Sequence, residues 1–404
     1  MSNKTNKDVP KLRFSEFAGD WQEKRLEKLF SEFKSGFNIT SEDISEHGTY
    51  PVFGGNGIRG YVESFTHDGF YLLIGRQGAL CGNINRINGK AYISEHAIAC
   101  KANDQSNTEW LAQRLDYYNL NRLSESSAQP GLSVNKLLRF KLFIPSIAEQ
   151  EKIASFLGAI DTRLTQLRRK HKLLQTYKRG VMQKIFSQEV RFKGAIGGAF
   201  PDWQKKKLGE LFKWIRTNSL SRESLSYEFG TVQNIHYGDI HKKFKSQFRL
   251  SKEEVPYIND EILVSNLAQE DFCKIGDLVI ADASEDYADI GKAVEIVEVE
   301  PSKLVAGLHC FIARPKEKMI VGYSGYLVQS EDARKQIKRI AQGVSVLGIS
   351  KTNLENINLP YPCIEEQEKI ADFLTAIDQK IEAVARQVDR TEQFKKGLLQ
   401  KMFV

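Results

Sequence analysis

The sequence predicts an α+β protein: two mixed α/β globules separated by two long antiparallel coiled-coil helices, the whole forming a pseudo-twofold internal repeat. Three observations predict it. Pro145–Ser187 (PSIAEQEKIASFLGAIDTRL…QKIFS) and Pro362–Val404 (PCIEEQEKIADFLTAIDQKI…QKMFV) align without a gap, at a constant offset of 217 (362 less 145). The openings also echo: RFSEFAGDWQEKRLEKLF from Arg13 and RFKGAIGGAFPDWQKKKLGELF from Arg191 align Trp21 with Trp203, Leu26 with Leu208 and Phe30 with Phe212. Between these frames, short apolar runs are punctuated by glycine turns. A repeat this long outweighs any single-residue motif.

The bulk properties set bounds. At 404 residues the chain can hold two or three domains. A formal charge of +7 permits a polyanionic partner without requiring one. The five cysteines (Cys81, Cys100, Cys273, Cys310, Cys363) are odd in number and form no CxxC pair, which fits reduced intracellular thiols in apolar cores. MSNKTNKDVPKLRF has no apolar leader, and no run of about eighteen apolar residues occurs. A soluble cytoplasmic protein is the expectation.

Four segments follow in order: a first globule at 12–145, a spacer helix at 146–188, a second globule at 189–362 and a second spacer helix at 363–404. Residues 1–11 are polar and expected to fray. In the first globule, Phe70–Ile74 and Ala91–Ile93 read as strands and 108–123 as a helix, followed by a loop at Ser124–Gly131. In the second, Tyr227–Ile235, Asp277–Ile280 and Lys292–Val299 read as strands and Tyr326–Ile340 as a helix. The globules have landmarks in common. Gly75-Arg76-Gln77-Gly78 corresponds to Ala281-Asp282-Ala283-Ser284, and His96 to His309; apolar neighbours suggest that both histidines are core residues.

The helices carry a heptad seam. It runs through Ile153, Leu157, Ile160, Leu164, Leu167, His171, Leu174, Lys178, Val181 and Ile185 in the first copy. In the second it runs through Ile370, Leu374, Ile377, Ile381, Val384, Val388, Thr391, Lys395, Leu398 and Met402. Such helices extend roughly 60 Å at 1.5 Å per residue. Between Asp161 and Glu189 the first helix carries eight basic residues and no acid, whereas the second interleaves Asp378, Glu382, Asp389 and Glu392 with its bases. Charges flanking a seam choose partners, so the second helix is the expected partner of the first. The alternative is that each helix folds back on its own globule.

Catalytic signatures are missing. There is no GxxxxGK[ST] loop, no HExxH and no G-x-S-x-G, and His236 and His241 are spaced wrongly for one helical face. Asp202 corresponds to Asp20 and belongs to the Asp-Trp opening rather than to a nuclease centre. What stands out is polar side chains in glycine-rich loops: Asn56, Arg59 and Tyr61; Arg76 and Gln77; Gln233, Asn234, His236 and Tyr237; Lys242 and Lys243; Ser284, Asp286 and Tyr287. Arg can pair with guanine edges and Asn or Gln with adenine edges. Any one of them could equally be an ordinary solvated turn; recurrence of the loops in both halves favours DNA reading.

Together, the twin EQEKIA…FL.AID helices, the IP and YP segments before them, the Asp-Trp openings and PVFGGNGIRGY…LLIGRQGALCG resemble the specificity subunits of type I restriction-modification systems, over nearly the whole chain. The resemblance implies two target-recognition domains, each reading one half of a bipartite asymmetric site in double-stranded DNA. It implies two conserved antiparallel helices that fix the spacer and dock two methyltransferase subunits. Those partners bind S-adenosylmethionine and methylate adenine at N6. Separate restriction subunits use ATP and Mg to translocate and cut DNA. It further implies a bacterial or archaeal cytoplasmic protein associated with DNA rather than with a membrane, holding no cofactor and catalysing nothing alone. Two alternatives compete: a coiled-coil scaffold whose globules bind proteins, and a free-standing enzyme, for which no constellation was found.

Overall fold

The adjacent Glu-Gln of each EQEKIA segment explains why the two helix copies travel with the two Asp-Trp openings. Glu149 is almost wholly buried and accepts from Arg13 Nε and Nη2, both at 2.7 Å. Arg13 also donates to the Gly19 carbonyl. Glu366, equally buried, accepts from Arg191 Nη2 and Trp203 Nε1, both at 2.7 Å, while Arg191 donates to the Pro201 carbonyl. The next residue does the complementary job. Gln150 donates to the Pro145 carbonyl at 3.0 Å and accepts from Asn107 N–H; Gln367 donates to the Pro362 carbonyl at 3.0 Å and accepts from Ile320 N–H. Each helix start is thereby bonded to the opening of its own globule. A buried carboxylate is tolerated there because its charge is paired and hydrogen-bonded.

The computed structural model describes residues 9–124, 130–194 and 197–403; most of the loop expected at Ser124–Gly131 and most of the N-terminal tail lie outside them. The chain divides into two units, residues 1–169 with 385–404, and residues 170–384.

The first unit runs β1 (Gln22–Arg25), β2 (Phe30–Ser35), β3 (Tyr50–Gly54), β4 (Gly57–Val62), β5 (Phe70–Gly75), β6 (Ile84–Asn88), β7 (Tyr92–Ile93), β8 (Ala97–Ala102), α1 (Thr108–Tyr118), α2 (Val134–Arg139), β9 (Lys141–Ile144) and the start of α3 (Ile147–Phe186). An antiparallel sheet has the order β2-β8-β5-β6, a smaller one the order β4-β3-β7, and β1 pairs with β9. Tyr71–Gly75 of β5 is buried on both faces.

The second unit runs β10 (Gln204–Lys207), α4 (Leu208–Leu211), β11 (Phe212–Ile215), β12 (Leu225–Ser226), β13 (Gln233–Ile235), α5 (Tyr237–Lys242), β14 (Gln247–Arg249), β15 (Tyr257–Ile258), α6 (Glu261–Ser265), β16 (Leu278–Ala281), β17 (Ala283–Ser284), β18 (Ala293–Glu298), β19 (Leu304–Ala306), β20 (Cys310–Pro315), α7 (Tyr323–Gln329), α8 (Glu331–Ile340), β21 (Leu347–Gly348), α9 (Lys351–Glu355), β22 (Asn358–Tyr361) and the start of α10 (Ile364–Met402). Its main sheet, β11-β20-β16-β18-β14, repeats the first unit's order with one added edge strand; β10–β22 repeats β1–β9, and the parallel pair β13–β19 repeats β3–β7. Similar topology thus underlies sequences with little overall identity.

Several elements differ from the sequence reading. The helix expected at Tyr326–Ile340 is two helices, because Ser330 takes an extended conformation and its hydroxyl caps α8 at Ala333 N–H. The helix at 108–123 stops at Tyr118, where Asn119 turns left-handed (φ 60°) into a short 3₁₀ turn. Of Tyr227–Ile235 only Gln233–Ile235 is a strand. Gly230 interrupts the run at φ 152°, and a Cβ there would sit 2.4 Å from the Tyr257 Cβ. Cys81, Cys100, Cys273 and Cys310 are buried core residues, and burial pushes their thiols up, keeping them protonated.

The seam is visible inside each unit. In the first, Ile153 and Leu157 lie in one core with Trp110 and Leu142 of their own globule and with Leu398 and Met402 of α10. At this end the helix pair is therefore part of a bundle rather than an isolated coiled coil. Lys395 meets Asp161 at 2.6 Å and Arg168 meets Glu392 at 2.7 Å, so numbering rises on α3 as it falls on α10: the helices are antiparallel. In the second unit, Ile370, Leu374 and Ile377 pack with Ile185 and Phe186, and Lys178 meets Asp378 at 2.7 Å. Ile160, Leu174, Ile381 and Val388 are half-buried, and Leu164, Leu167 and Val384 are buried. The expected charge complementarity between the helices is present, although an exposed pair such as Arg168–Glu392 contributes about 0–1 kcal/mol.

His171 is half-buried on this seam. His171→Leu should raise the unfolding temperature, by about 2–4 °C for each kcal/mol gained. A lower temperature in a thermal-shift assay would show instead that the imidazole is packed and satisfied.

Candidate nucleic-acid interface

In both globules, three loops are brought together by the same backbone scheme. In the first, the parallel pair β3–β7 ends at Phe53↔Ile93, and Ser94 N–H donates to the Phe53 carbonyl at 2.9 Å. Beside it β5 ends at Gly75, paired with Ala97, and Arg76 N–H donates to the His96 carbonyl at 2.9 Å. Leu132 N–H donates to the Arg76 carbonyl, adding the segment after the loop at 124–131. The junction requires glycine. A Cβ on Gly75 would lie 2.4 Å from the Gly55 carbonyl oxygen, and one on Gly55 would lie 2.8 Å from that of His96.

Around this junction stand four of the five residues expected to read DNA. Asn56 is exposed and accepts from Asn83 Nδ2 at 3.0 Å. Arg59 is exposed and runs across Gly54, where a Cβ would come within 2.6 Å of its Cδ. Arg76 is half-buried with no side-chain partner among the described residues, and Gln77 is exposed. Tyr61 lies farther along β4, paired with Pro51 and bridged to Ser45. Asn83 and His96 join the cluster. His96 is half-exposed and 3.0 Å from Glu95, not the core residue its apolar neighbours suggested, because it sits in the turn before β8 and not on the buried strand.

The second globule repeats the scheme. β13–β19 ends at Ile235↔Ala306, and Gly307 N–H donates to the Ile235 carbonyl at 2.9 Å. β16 ends at Ala281, paired with Cys310; Asp282 N–H donates to the His309 carbonyl at 3.1 Å, and Ile349 N–H to that of Asp282 at 2.9 Å. His309 is exposed, again contrary to the core expectation, and its Nδ1 lies 3.1 Å from Asp282 Oδ1.

Here the expected residues separate into two groups. His236, Tyr237 and Lys243 come together. The Tyr237 ring lies 4.7 Å from the His236 ring and 5.2 Å, edge-on, from that of His309. Lys243 donates to Tyr227 Oη at 3.0 Å, and Lys242 is exposed beside it without a partner among the described residues. Arg222 joins through two 2.9 Å bonds to the buried Asp239. Burial, reinforced by Arg222, holds the His236 imidazole below its ordinary range and therefore neutral at pH 7. Its Nδ1 accepts from Gly238 N–H, so Nε2 carries the proton and can donate.

The others are engaged in the fold. Asn234 is buried, accepting from Asn218 Nδ2 at 2.8 Å while its amide nitrogen packs on Gly307. Gln233 donates to the Val255 carbonyl. Ser284 is buried and forms a turn with the backbone of Asp286, whose side chain accepts from Ala288 N–H; Tyr287 is exposed under Lys338. Arg222, Tyr227, Asp282 and His309 were not among the residues expected to read DNA; His309 was expected in the core. The alignment of Gly75-Arg76 with Ala281-Asp282 was the signal for Asp282.

Among the described residues no group of three His, Cys, Asp or Glu could hold a metal ion, and no helix is long and apolar enough to cross a membrane.

The type I restriction modification DNA specificity domain matches twice, over residues 18–175 and 201–390, one match for each half of the repeat. The chain belongs to this family. Among its relatives, the EcoprrI specificity subunit of Escherichia coli is 44% identical over 155 residues, 37% of this chain and 38% of that protein. The MjaVIII specificity subunit of Methanocaldococcus jannaschii is 27% identical over 272 residues, 64% of this chain and 60% of that one. The matched segments thus span less than two thirds of these relatives. The crystal structure of the S subunit of the type I restriction-modification system from M. genitalium covers 98% of this chain and 99% of its own length, with a TM-score of 0.67 at 16% identity, and so has the same fold. In this family's terms, the two loop clusters lie one in each specificity domain.

Proposed function

We propose that this chain is the sequence-reading subunit of a type I restriction-modification complex, recognising a bipartite asymmetric site in double-stranded DNA. Residues near Asn56, Arg59, Arg76 and Gln77 read one half-site; those near His236, Tyr237, Lys242 and Lys243 read the other. One observation carries this reading: both specificity domains present a loop cluster on the same backbone scheme, filled with different polar side chains. A common frame with different contacts is what an asymmetric two-part site needs, since base-edge contacts specify while phosphate contacts position. The basic net charge of the chain suits phosphate positioning.

In this reading the paired helices α3 and α10 fix the spacer and dock two methyltransferase subunits, as half-site spacing follows from protein geometry. Those partners supply S-adenosylmethionine and transfer its methyl group to adenine; restriction subunits supply ATP hydrolysis with Mg. This chain contributes recognition and positioning, performs no chemistry alone, and works on DNA in the cytoplasm of a bacterial or archaeal cell.

Single-molecule sequencing of methylated adenines, in cells carrying this chain and its methyltransferase partner, should return one split motif with a fixed spacer. DNA binding by the reconstituted complex that showed no sequence preference would refute the reading. Arg76→Ala should relax one position of the half-site read by the first globule, by about 1–3 kcal/mol of discrimination, and leave the other half-site alone. An unchanged motif would remove Arg76 from the reading set.

A further inference from the structure

The two clusters place different chemistry on one backbone position. Arg76 and Asp282 are each the first residue beyond the central strand (Gly75↔Ala97 and Ala281↔Cys310). Each donates its N–H to the carbonyl of the histidine before the neighbouring strand, His96 or His309, and each accepts at its carbonyl from the equivalent N–H of Leu132 or Ile349. The backbone hydrogen bonds match; the side chains do not. Arg76 offers only donors and has no side-chain partner among the described residues. Asp282 is held by His309.

That pair does not serve loop closure, which the two backbone bonds already provide. His309 is also held at some cost. Its φ of 58° is left-handed, where glycine would be free of strain, yet an imidazole stands there, exposed, its ring 5.2 Å from that of Tyr237 in a T-shaped contact. A carboxylate can only accept, so the contact at 3.1 Å assigns the shared proton to His309 Nδ1 and leaves Nε2 as an acceptor when the ring is neutral. His236, whose ring also lies against Tyr237, has the opposite tautomer.

We propose, building on the DNA-reading function above, that this backbone position is a common reading position of the two domains, a donor in the first (Arg76) and an acceptor in the second (the Asp282–His309 pair). Arg76 then meets guanine, whose O6 and N7 both accept. Asp282–His309 meets a base with an exocyclic amino group in the major groove, adenine or cytosine. The corresponding positions of the two half-sites therefore differ in a defined way, and Asp282 and His309 are specificity-determining residues of the second domain.

The test is the methylation motif of the full chain assembled with its methyltransferase partner, by sequencing of methylated adenines, for the wild type, Asp282→Asn and His309→Asn. Asparagine is chosen at 309 because it tolerates a left-handed backbone. Expected is a wild-type motif with guanine at one position of the first half-site and adenine or cytosine at its counterpart. Both variants should lose discrimination at that counterpart alone, roughly tenfold or more. Motifs unchanged in both variants overturn the assignment while leaving the DNA-reading function intact, because the wild-type motif establishes that function by itself. Loss of all methylation in both variants also overturns it, since the pair would then support the domain rather than choose a base. A wild-type complex without any split motif removes both the function and this inference.

Discussion

Glu366→Ala lowers the stability of the second unit by roughly 1.5–3 kcal/mol, because it removes the buried carboxylate that accepts from the half-buried Arg191 and from the Trp203 indole. The change strips Arg191 and Trp203 of a common acceptor at 2.7 Å, and the start of α10 loses its bond to the Asp-Trp opening. Glu149→Ala should do the same in the first unit, where Arg13 makes two 2.7 Å bonds to the equivalent side chain. Asp202→Ala is the control. The Asp202 side chain is fully exposed and lies 3.5 Å from Arg191, so its loss should leave the unfolding midpoint unchanged. Denaturant unfolding followed by tryptophan fluorescence measures all three. A loss below about 1 kcal/mol for Glu366→Ala would mean that Arg191 finds sufficient acceptors in the Phe200 and Pro201 carbonyls.

Seven residues of heptad-compatible helix, inserted at corresponding points of α3 and α10, should lengthen the accepted DNA spacer without altering either half-site. Seven residues add roughly 10 Å of helix. At about 3.4 Å per base pair, the spacer grows by up to about three base pairs. A whole heptad preserves the seam; insertion between these positions in one helix alone could not keep both Asp161 opposite Lys395 and Lys178 opposite Asp378, and should destabilise the pair. The measurement is the methylation motif of the insertion variant. Altered half-sites with an unchanged spacer would defeat the idea that the helices act as a ruler.

Much of the fold was legible because it rests on periodicity and repetition. The seam residues, from Ile153 to Met402, are buried or half-buried as their spacing requires. The landmark pairs Arg76/Asp282 and His96/His309 occupy matching registers. Less legible was the packing at each end of the seam, where Ile153 and Leu157 meet Trp110 as well as α10, so that a coiled-coil pattern serves a bundle. Local turn chemistry also escaped: Ser330 splits one expected helix because its hydroxyl can cap the next turn.

In the loop clusters the division is sharper. Two similar frames, the places of their variable loops and the polar side chains that fill them are all legible in the order of residues. Which of those side chains remain available follows from the fold instead. Asn234 is spent on Asn218, sixteen residues away, and Ser284 on its own turn, whereas Arg76 has no side-chain partner among the described residues and His309, expected in the core, stands exposed against Asp282. The reason is physical. Periodicity in a sequence reports which face of an element is buried, but the availability of a polar group depends on which distant partner the fold brings within hydrogen-bond distance.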